Sequence, residues 1–523
     1  MLGPGKTNVN ILWAGSDDGL VHVTRDGGKS WVNVTPKDMP EFGRVSQIDA
    51  SSFEPGGAYM AVKKPLLNDF APYIFRTRDF GRTWTRIVSG IGPRDYTHVV
   101  REDPTRRGLL YAGTERGVYV SHNDGDTWKS LSLNLPVTQI SDLIVESSSL
   151  AIATHGRGFY ILDDLSVVRQ APEAAASTAA AVLFKPADAV RGGGLVTVTY
   201  LLKSAAASLS VEILDGAGRV VQTIPGRMGG PGRGGRGRGD AAPASAPGAA
   251  PGAAVPGAPT AASGGQAAGQ GRANQPAAPA ADESEQIGGG GRGGGAAFAS
   301  MAPGLNRVTW NLSYPGPTTF PGMILWGATT AGPAALPGSY EVRLTVDGVA
   351  QTQPLRIRKH PLRATSDADL KEQFDLGLRI RDKASEANQA VIQIRSLKQQ
   401  IGERAGKSPD ATLKASADRL TKSLGAIEEE IYQVRNQSNQ DPLNFPIKIN
   451  NRIAALLRVV TTGDGKPIAN AAPILADLSA ELKTQTDRLQ EVLVGDVRGF
   501  NELLVKLQLP PLEVSATQAP GGR

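Results

Sequence analysis

The chain has 523 residues, with 56 Lys plus Arg against 50 Asp plus Glu, and no cysteine. The missing cysteine excludes disulfides, thiolate metal sites and a cysteine nucleophile. The basic excess forms no stripe, since residues 1–170 hold 19 Lys/Arg and 19 Asp/Glu and residues 362–523 hold 22 and 21, so no nucleic-acid partner is expected.

The N-terminus, MLGPGKTNVNILWAG, shows no basic segment followed by an apolar one, so no signal peptide is visible. Residues 1–168 then carry a repeat, S/T-x-D/N-x-G-x-S/T-W in its core form. The copies run Thr24–Trp31, Thr77–Trp84 and Ser121–Trp128, and their tryptophans lie 53 and 44 residues apart. Strand–glycine–strand stretches accompany them: AGSDDGLVHVT (14–24), AGTERGVYVS (112–121) and the degenerate ATHGRGFYIL (153–162). A period of 40–50 residues with four short strands per unit predicts β-propeller blades.

These boxes resemble the Asp-box, or BNR, repeats of sialidases, xyloglucan-cleaving glycosidases, sortilin/Vps10-type receptors and photosystem-assembly propellers. The blades are most similar to large bacterial BNR-repeat proteins often labelled glycosyl hydrolase or sortilin-like, which also carry an Ig-like module and a helical tail. The resemblance implies a secreted or periplasmic protein. Residues 1–168 supply about three and a half blades, so the chain is expected to be the C-terminal part of a longer protein with further blades upstream, the alternative being closure by oligomerisation.

The box residues Asp26, Asp79 and Asn123 read as turn-fixing groups bonded to nearby backbone N–H groups. A general base is not replaceable by the Asn of the third copy, whereas a backbone-bonding group is. Trp31, Trp84 and Trp128 are expected to pack between blades. Outside the boxes, Asp69, Asp95, Glu102, Asp103, Glu115, Asp163 and Asp164 are available carboxylates, but no spacing selects a glycosidase pair. Arg94, Arg101, Arg116 and Arg157 form no recognisable triad for a substrate carboxylate. Catalytic residues therefore stay unassigned. Two loops are candidate ligand-binding sites, read otherwise as a plain surface loop and as a turn tying the last blade to the sandwich. KKPLLNDFAP (63–72) reads as a long insertion offering Asn68, Asp69, Phe70 and Tyr73. THGR (154–157) offers His155 and Arg157, with Asp163 and Asp164 following. Five histidines, none at metal-binding spacing, predict no metal and no cofactor.

Residues 169–225 and 298–361 read as an Ig-like β-sandwich similar to FlgD-type modules. Leu209, Val211 and Ile213 share one face, as do Val308, Trp310 and Leu312, and Tyr340, Val342, Leu344 and Val346. Residues 226–297 are Gly, Ala and Pro with scattered Arg, including GRGGRGRG (232–239), and read as a disordered, solvated insertion. Residues 362–510 read as a bundle of about four helices, with a heptad seam Leu413, Ala417, Leu420, Leu424, Ile427, Ile431 and Val434. That seam serves as its own core or as a partner-binding face. Residues 511–523 read as a disordered tail. No run of eighteen apolar residues exists, so no membrane span is expected.

The expected fold is therefore a multidomain β-plus-α chain: a partial Asp-box β-propeller, an Ig-like β-sandwich and a C-terminal helical bundle. The expected function is recognition of a carbohydrate or protein ligand on the propeller face. The alternative is a sialidase- or xyloglucanase-like glycoside hydrolase whose carboxylates lie partly in upstream blades. Sugar-binding faces usually present aromatics with carboxylates, and the low aromatic content, 5%, partly spent on the box tryptophans, tilts the reading from hydrolysis toward binding.

Overall fold

The computed structural model describes residues 1–228 and 298–514. Nearly all of the Gly/Ala/Pro insertion lies outside them, although Gly226 and Arg227 still belong to the strand Val220–Arg227.

Residues 2–162 form four antiparallel meanders. The first contains Leu2–Pro4, Leu12–Gly15, Val21–Thr24 and Val32–Asn33. The segment before Ile11 thus supplies a strand of its own. The second contains Arg44–Ala50, Ala58–Lys64, Asp69–Thr77 and Thr85–Arg86. The third contains Thr97–Glu102, Leu110–Thr114, Val118–Ser121 and Lys129–Ser130. The fourth has three strands, Ile140–Val145, Leu150–Thr154 and Phe159–Leu162.

Each sheet packs face-on against the next, the stacking of propeller-type blades. The alternation of side chains along a strand explains how. Trp13 and Val23 of the first sheet meet Met60 and Phe75 of the second. Tyr59 and Ile74 of the second meet Val100 and Ala112 of the third. Tyr111 and Val120 of the third meet Leu143 and Ile152 of the fourth. In each seam the leading sheet contributes a large buried ring from its second strand, Trp13, Tyr59 and Tyr111. Each ring removes roughly 150–250 Å² from water, worth about 4–6 kcal/mol by area.

A helix, α1 (Ser166–Ala176), follows the fourth sheet. The sequence reading began the sandwich here and missed it. The helix is pinned by side chains: Arg169 Nε donates to the buried Asp103 at 2.9 Å, and Arg106 binds Glu173 at 2.6 Å. These partners are some 67 residues apart in sequence, so no local pattern announces the helix.

Two sheets then pack on one core that includes Val198, Tyr200, Trp310, Val211, Ile213, Val342 and Leu344. One has the order Ala181–Leu183, Val196–Leu202, Gly304–Trp310. The other has six strands around the hairpin Gly338–Val346 and Val349–Arg358. That hairpin turns through Asp347 and Gly348 at φ 49° and 84°, the left-handed pair a two-residue turn requires.

The C-terminal part comprises α2 (Asp367–Gly406), α3 (Ala411–Ile431), α4 (Ile449–Thr461), α5 (Ala471–Val492) and α6 (Arg498–Lys506). Ser366 caps α2 by accepting from Asp369 N at 3.0 Å, and Asp410 caps α3 from Leu413 N at 2.7 Å. The seam Leu413–Ile431 is buried in the bundle's own core, but α3 ends before Val434, which is 39% exposed. α2 runs unbroken through Gly402. Packing also continues past 510: Leu512 is buried, and its N–H donates to Asn501 at 2.7 Å.

Two features tie sandwich to bundle. Residues 314–335 leave the sandwich and cross the helices, burying Phe320 in the helical core and bonding Thr318 to Ser385 and Asn388. Arg191, buried, donates to Ala334 O, Ala335 O, Gln373 and Asp464 at 2.6–3.2 Å. Burial raises the Asp464 pKa, but the hydrogen bonds from Arg191 and Arg363 outweigh it and hold this carboxyl below its ordinary range.

Candidate functional site

The blade-like sheets are up-and-down meanders, so their turns fall at two ends. The turns joining third to fourth strands carry the boxes. The turns joining second to third strands, and the segments entering each first strand, lie at the opposite end.

At the box end the three copies are built alike. Asp26 Oδ1 accepts from Ser30 N at 2.9 Å and Oδ2 from Ser30 Oγ at 2.6 Å. Asp79 repeats this with Thr83 N at 2.9 Å and Thr83 Oγ1 at 2.7 Å. Asn123 takes Thr127 N at 2.9 Å on Oδ1 and donates from Nδ2 to Thr127 Oγ1 at 2.9 Å. The hydroxyls of Thr24, Thr77 and Ser121 each accept a glycine N–H four residues on, at 2.9–3.0 Å. The turn forces positive φ at Gly27, Phe80 and Asp124. Hydrogen bonds from Ser30 hold the Asp26 carboxyl far below the ordinary range. It is an acceptor with no proton to give.

The box tryptophans diverge. Trp84 Nε1 donates to Val34 O at 2.7 Å and Trp128 Nε1 to Ile87 O at 2.9 Å, each reaching the preceding sheet. Trp31, in the first sheet, is 41% exposed.

At the opposite end three sheets contribute to one cluster. Tyr96 and His98 are two residues apart at the start of a strand, so they project to the same side. Their rings lie 5.0 Å apart, and Phe70 lies 6.1 Å from Tyr96. Lys63 Nζ is 3.0 Å from His98 Nδ1, and His98 Nε2 is 3.4 Å from Glu115. A lysine ammonium only donates, so Nδ1 accepts and the Nε2–H points to Glu115. Burial, then the charge of Lys63, push His98 down to about 4, so its ring is neutral at pH 7. Burial and the Glu115 carboxylate push Tyr96 up to about 12. Tyr119 donates to Asp95 at 2.6 Å and Tyr73 to Asp69 at 2.8 Å. Three carboxylates of this rim are thus each paired with a protonated phenol, which disfavours a phenolate nucleophile.

The stretch 63–72 is a tight tip, not a long loop. Pro65–Leu67 form one 3₁₀ turn, Asn68 closes it at φ 60°, and Lys64 already pairs with Asp69 across the hairpin. Asp69 and Tyr73 therefore sit in a strand, where pleating rather than loop flexibility sets their direction. The tip presents Leu66 at 93% exposure, and Arg94 stacks 5.0 Å from the Phe70 ring. His155 and Arg157 occupy the corresponding turn of the fourth sheet, exposed, with His155 N donating to Gln139 O at 2.9 Å. Asp163 and Asp164 follow the strand Phe159–Leu162 and so lie at the box end. The structure separates them from His155, with which they were grouped.

Lys63, Tyr96, His98 and Asp95 complete the rim, and the sequence reading chose none of them as ligand groups. The readable signal was the Tyr96–His98 alternation entering an apolar strand. The buried acids Glu102 and Asp103 are committed elsewhere. Glu102 accepts from Ser51 Oγ, Ser52 N and Tyr59 OH at 2.8–3.3 Å, and Asp103 from Thr105 and Arg106 N–H groups and from Arg169. Asp49 shares a cleft of about 300 Å³ with Glu102, but it accepts from Lys6, Arg101 and the Glu102 N–H. Neither acid of that cleft is free for general acid–base work. Among the described residues no group of three His, Asp or Glu is placed to hold a metal, and no helix is long and apolar enough to cross a membrane.

No family model and no curated protein matches the chain. Solved structures of β-propeller type do. The chain is similar to a YCF48 structure bound to D1 peptide, at 14% identity and TM-score 0.24, over 40% of this chain and 61% of that one. YCF48 from Cyanidioschyzon merolae gives 17% and 0.24, over 38% and 65%. The GH74 xyloglucanase from Xanthomonas campestris gives 14% and 0.25, over 44% and 38%. The chain spans less than two thirds of the length of each of these structures.

Proposed function

We propose that the chain is a recognition protein of the Asp-box propeller class, and that its box-free rim binds a protein or carbohydrate ligand. In this reading residues 1–168 are the propeller part. The sandwich of 169–225 and 298–361 is an Ig-like docking module, residues 362–510 are a helical docking module, and the protein is exported.

The observation that supports it is convergence. Lys63 and Phe70, Tyr96 and His98, Glu115, and His155 come from three consecutive sheets to one end, while the repeated turns occupy the other. The Leu66 tip, fixed by Pro65 and Asn68, stands out beside them as a rigid apolar contact, the kind of group that anchors a protein surface. Hydrolysis is disfavoured because each rim carboxylate in the cluster already has a hydroxyl or imidazole partner.

Titration against panels of peptides and glycans tests the reading. Leu66→Asp combined with Arg94→Ala is expected to weaken the ligand found by at least about tenfold, which is about 1.4 kcal/mol. Asp26→Asn at the box end is expected to leave it unchanged. Cleavage of a glycan that stops in Glu115→Gln would replace the binding reading with the hydrolase.

A further inference from the structure

Lys6, Lys383 and Lys398 each hold a carboxylate oxygen at 2.6–3.1 Å. Lys63 bonds an imidazole instead. Its Nζ lies 3.0 Å from Nδ1 of His98, and Nε2 of the same ring lies 3.4 Å from Glu115. Amine, imidazole and carboxylate thus stand in line. This is the order of a nucleophile, its proton acceptor and the group that orients the acceptor. His98 is 6% exposed, and the Tyr96 ring lies 5.0 Å from it. The imidazole is therefore fixed, while the half-buried Lys63 keeps access to the rim.

The surroundings work against a charged amine. Arg44 is the direct cross-strand partner of Lys63, and like charges opposite each other destabilise a strand pair. That cost is relieved when the amine gives up its proton. Burial, then the Arg44 charge, lower the Lys63 pKa, with Glu115 opposing them. Desolvation beside another cation is how a lysine becomes a nucleophile toward carbonyl carbon.

We propose that Lys63 is a nucleophilic amine that forms an imine with a carboxylate-bearing aldehyde, with His98 carrying the protons and Glu115 as the positioning residue for its ring. The unprotonated Nζ attacks the carbonyl carbon, the C–N bond forms, and the carbonyl π pair moves to oxygen. One N–H proton passes through His98 Nδ1 to that oxygen and gives the carbinolamine. The nitrogen lone pair then expels the hydroxyl, which takes the second N–H proton by the same route and leaves as water. His98 ends neutral, as it began, and no oxidant or reductant is consumed. Weak basicity suits this task, because a ring pushed down to about 4 returns a proton readily. Arg44, across the strand pair, supplies the charge that favours a carboxylate on the aldehyde. The reactivity goes beyond ligand recognition by the rim and does not rest on it. A small aldehyde reaches the amine whether or not a peptide or glycan binds, so either idea can fail alone.

Timed incubation of the full chain with glyoxylate, quenched with borohydride and read by peptide mass spectrometry, tests it. Hydride adds to the imine carbon and leaves a carboxymethyl-lysine. At pH 7 Lys63 is expected to label at least about tenfold faster than its neighbour Lys64, a small part of the ~10²–10⁴ that positioned proton transfer supplies. The pH profile of labelling separates the roles: its midpoint follows the amine and its plateau at high pH follows the proton relay. The ionisable groups around the pair are Arg44, Asp69 and Tyr73 in the flanking strands, and Tyr96, Glu115 and His155 near His98. His98→Gln, which accepts a bond but relays no proton, is expected to lower the plateau about tenfold. Glu115→Gln is expected to lower the plateau and also the midpoint, since an anion beside the amine is lost, whereas Arg44→Gln raises the midpoint. Circular dichroism checks each fold. If His98→Gln unfolds, Glu115→Gln on the rim turn makes the same comparison without touching the buried ring. Lys63 labelled no faster than Lys64 overturns the proposal, as does a plateau that neither substitution lowers. Propanal reacting as fast as glyoxylate overturns the choice of a carboxylate-bearing aldehyde.

Discussion

The two ends of the blade-like sheets are made by the same strands yet follow opposite logics. At the box end three turns share hydrogen bonds to within a few tenths of an ångström, and Asn123 does there what Asp26 and Asp79 do. At the other end three of the turns share a hydroxyl-to-carbonyl bond, Ser16 to Leu20 O, Thr114 to Gly117 O and Thr154 to Gly158 O, but the side chains presented differ: a Leu66 tip in the second sheet, Glu115 in the third and an exposed His155 in the fourth. Repetition marks groups whose partner is the chain's own backbone. Divergence marks groups free to meet something else.

The comparison breaks most visibly at the box tryptophans. Trp128 is 3% exposed and bonded to the neighbouring sheet, so Trp128→Ala is expected to cost about 3–5 kcal/mol in urea unfolding. Trp31→Ala, where the ring is 41% exposed, is expected to cost far less. Equal losses at the two positions would mean that sheet-to-sheet packing does not set the tryptophan's role.

The rim should reveal itself through pH. His98 is pushed down to about 4, while an unfolded chain protonates it near its ordinary value of about 6.5. Between those values the unfolded chain binds the extra proton, so stability is retained above about pH 6.5 and falls as pH drops toward 4. His98→Gln keeps an acceptor for Lys63 and a donor for Glu115 without a titrating ring. Its stability is expected to fall less steeply over that window. Parallel curves for the two proteins would remove His98 from the account.

Legibility in the sequence followed the same division. The box turns were readable because Asx, glycine and tryptophan recur at fixed offsets, and the Asx and hydroxyl groups act within the eight residues of the box. The sandwich strands were readable because Leu209, Val211 and Ile213 alternate. What escaped was held by distant partners. α1 depends on Asp103 and Arg106, and the crossing of residues 314–335 depends on Ser385, Asn388 and Asn451. The rim cluster depends on Lys63 meeting His98 from another sheet. Asp163 was placed with His155 because eight residues separate them in sequence, whereas a strand running the length of the sheet separates them in space.

The finest test compares two substitutions at one box. Asp79→Ala removes the acceptor for Thr83 N, Thr83 Oγ1 and Thr77 Oγ1. Net hydrogen bonds of this kind are worth about 0.5–1.5 kcal/mol each, and solvent competes at an exposed turn, so a loss of about 1–2 kcal/mol is expected. Asp79→Asn recreates the third copy, with Oδ1 taking Thr83 N and Nδ2 reaching Thr83 Oγ1 as Asn123 reaches Thr127. At neutral pH it is expected to stay within about 0.5 kcal/mol of the parent. The two should separate in acid. Burial raises the Asp79 pKa, but bonds from Thr83 and Thr77 outweigh it and leave it lowered. The carboxylate's stabilisation is therefore present above its ordinary value of about 3.9 and is lost as pH falls below it. An amide in its place cannot titrate, so Asp79→Asn should lose less stability in acid than the parent. If the asparagine form is as damaged as the alanine form at pH 7, charge matters at the box end after all, and the division between a structural end and a recognition end fails at its most repeated residue.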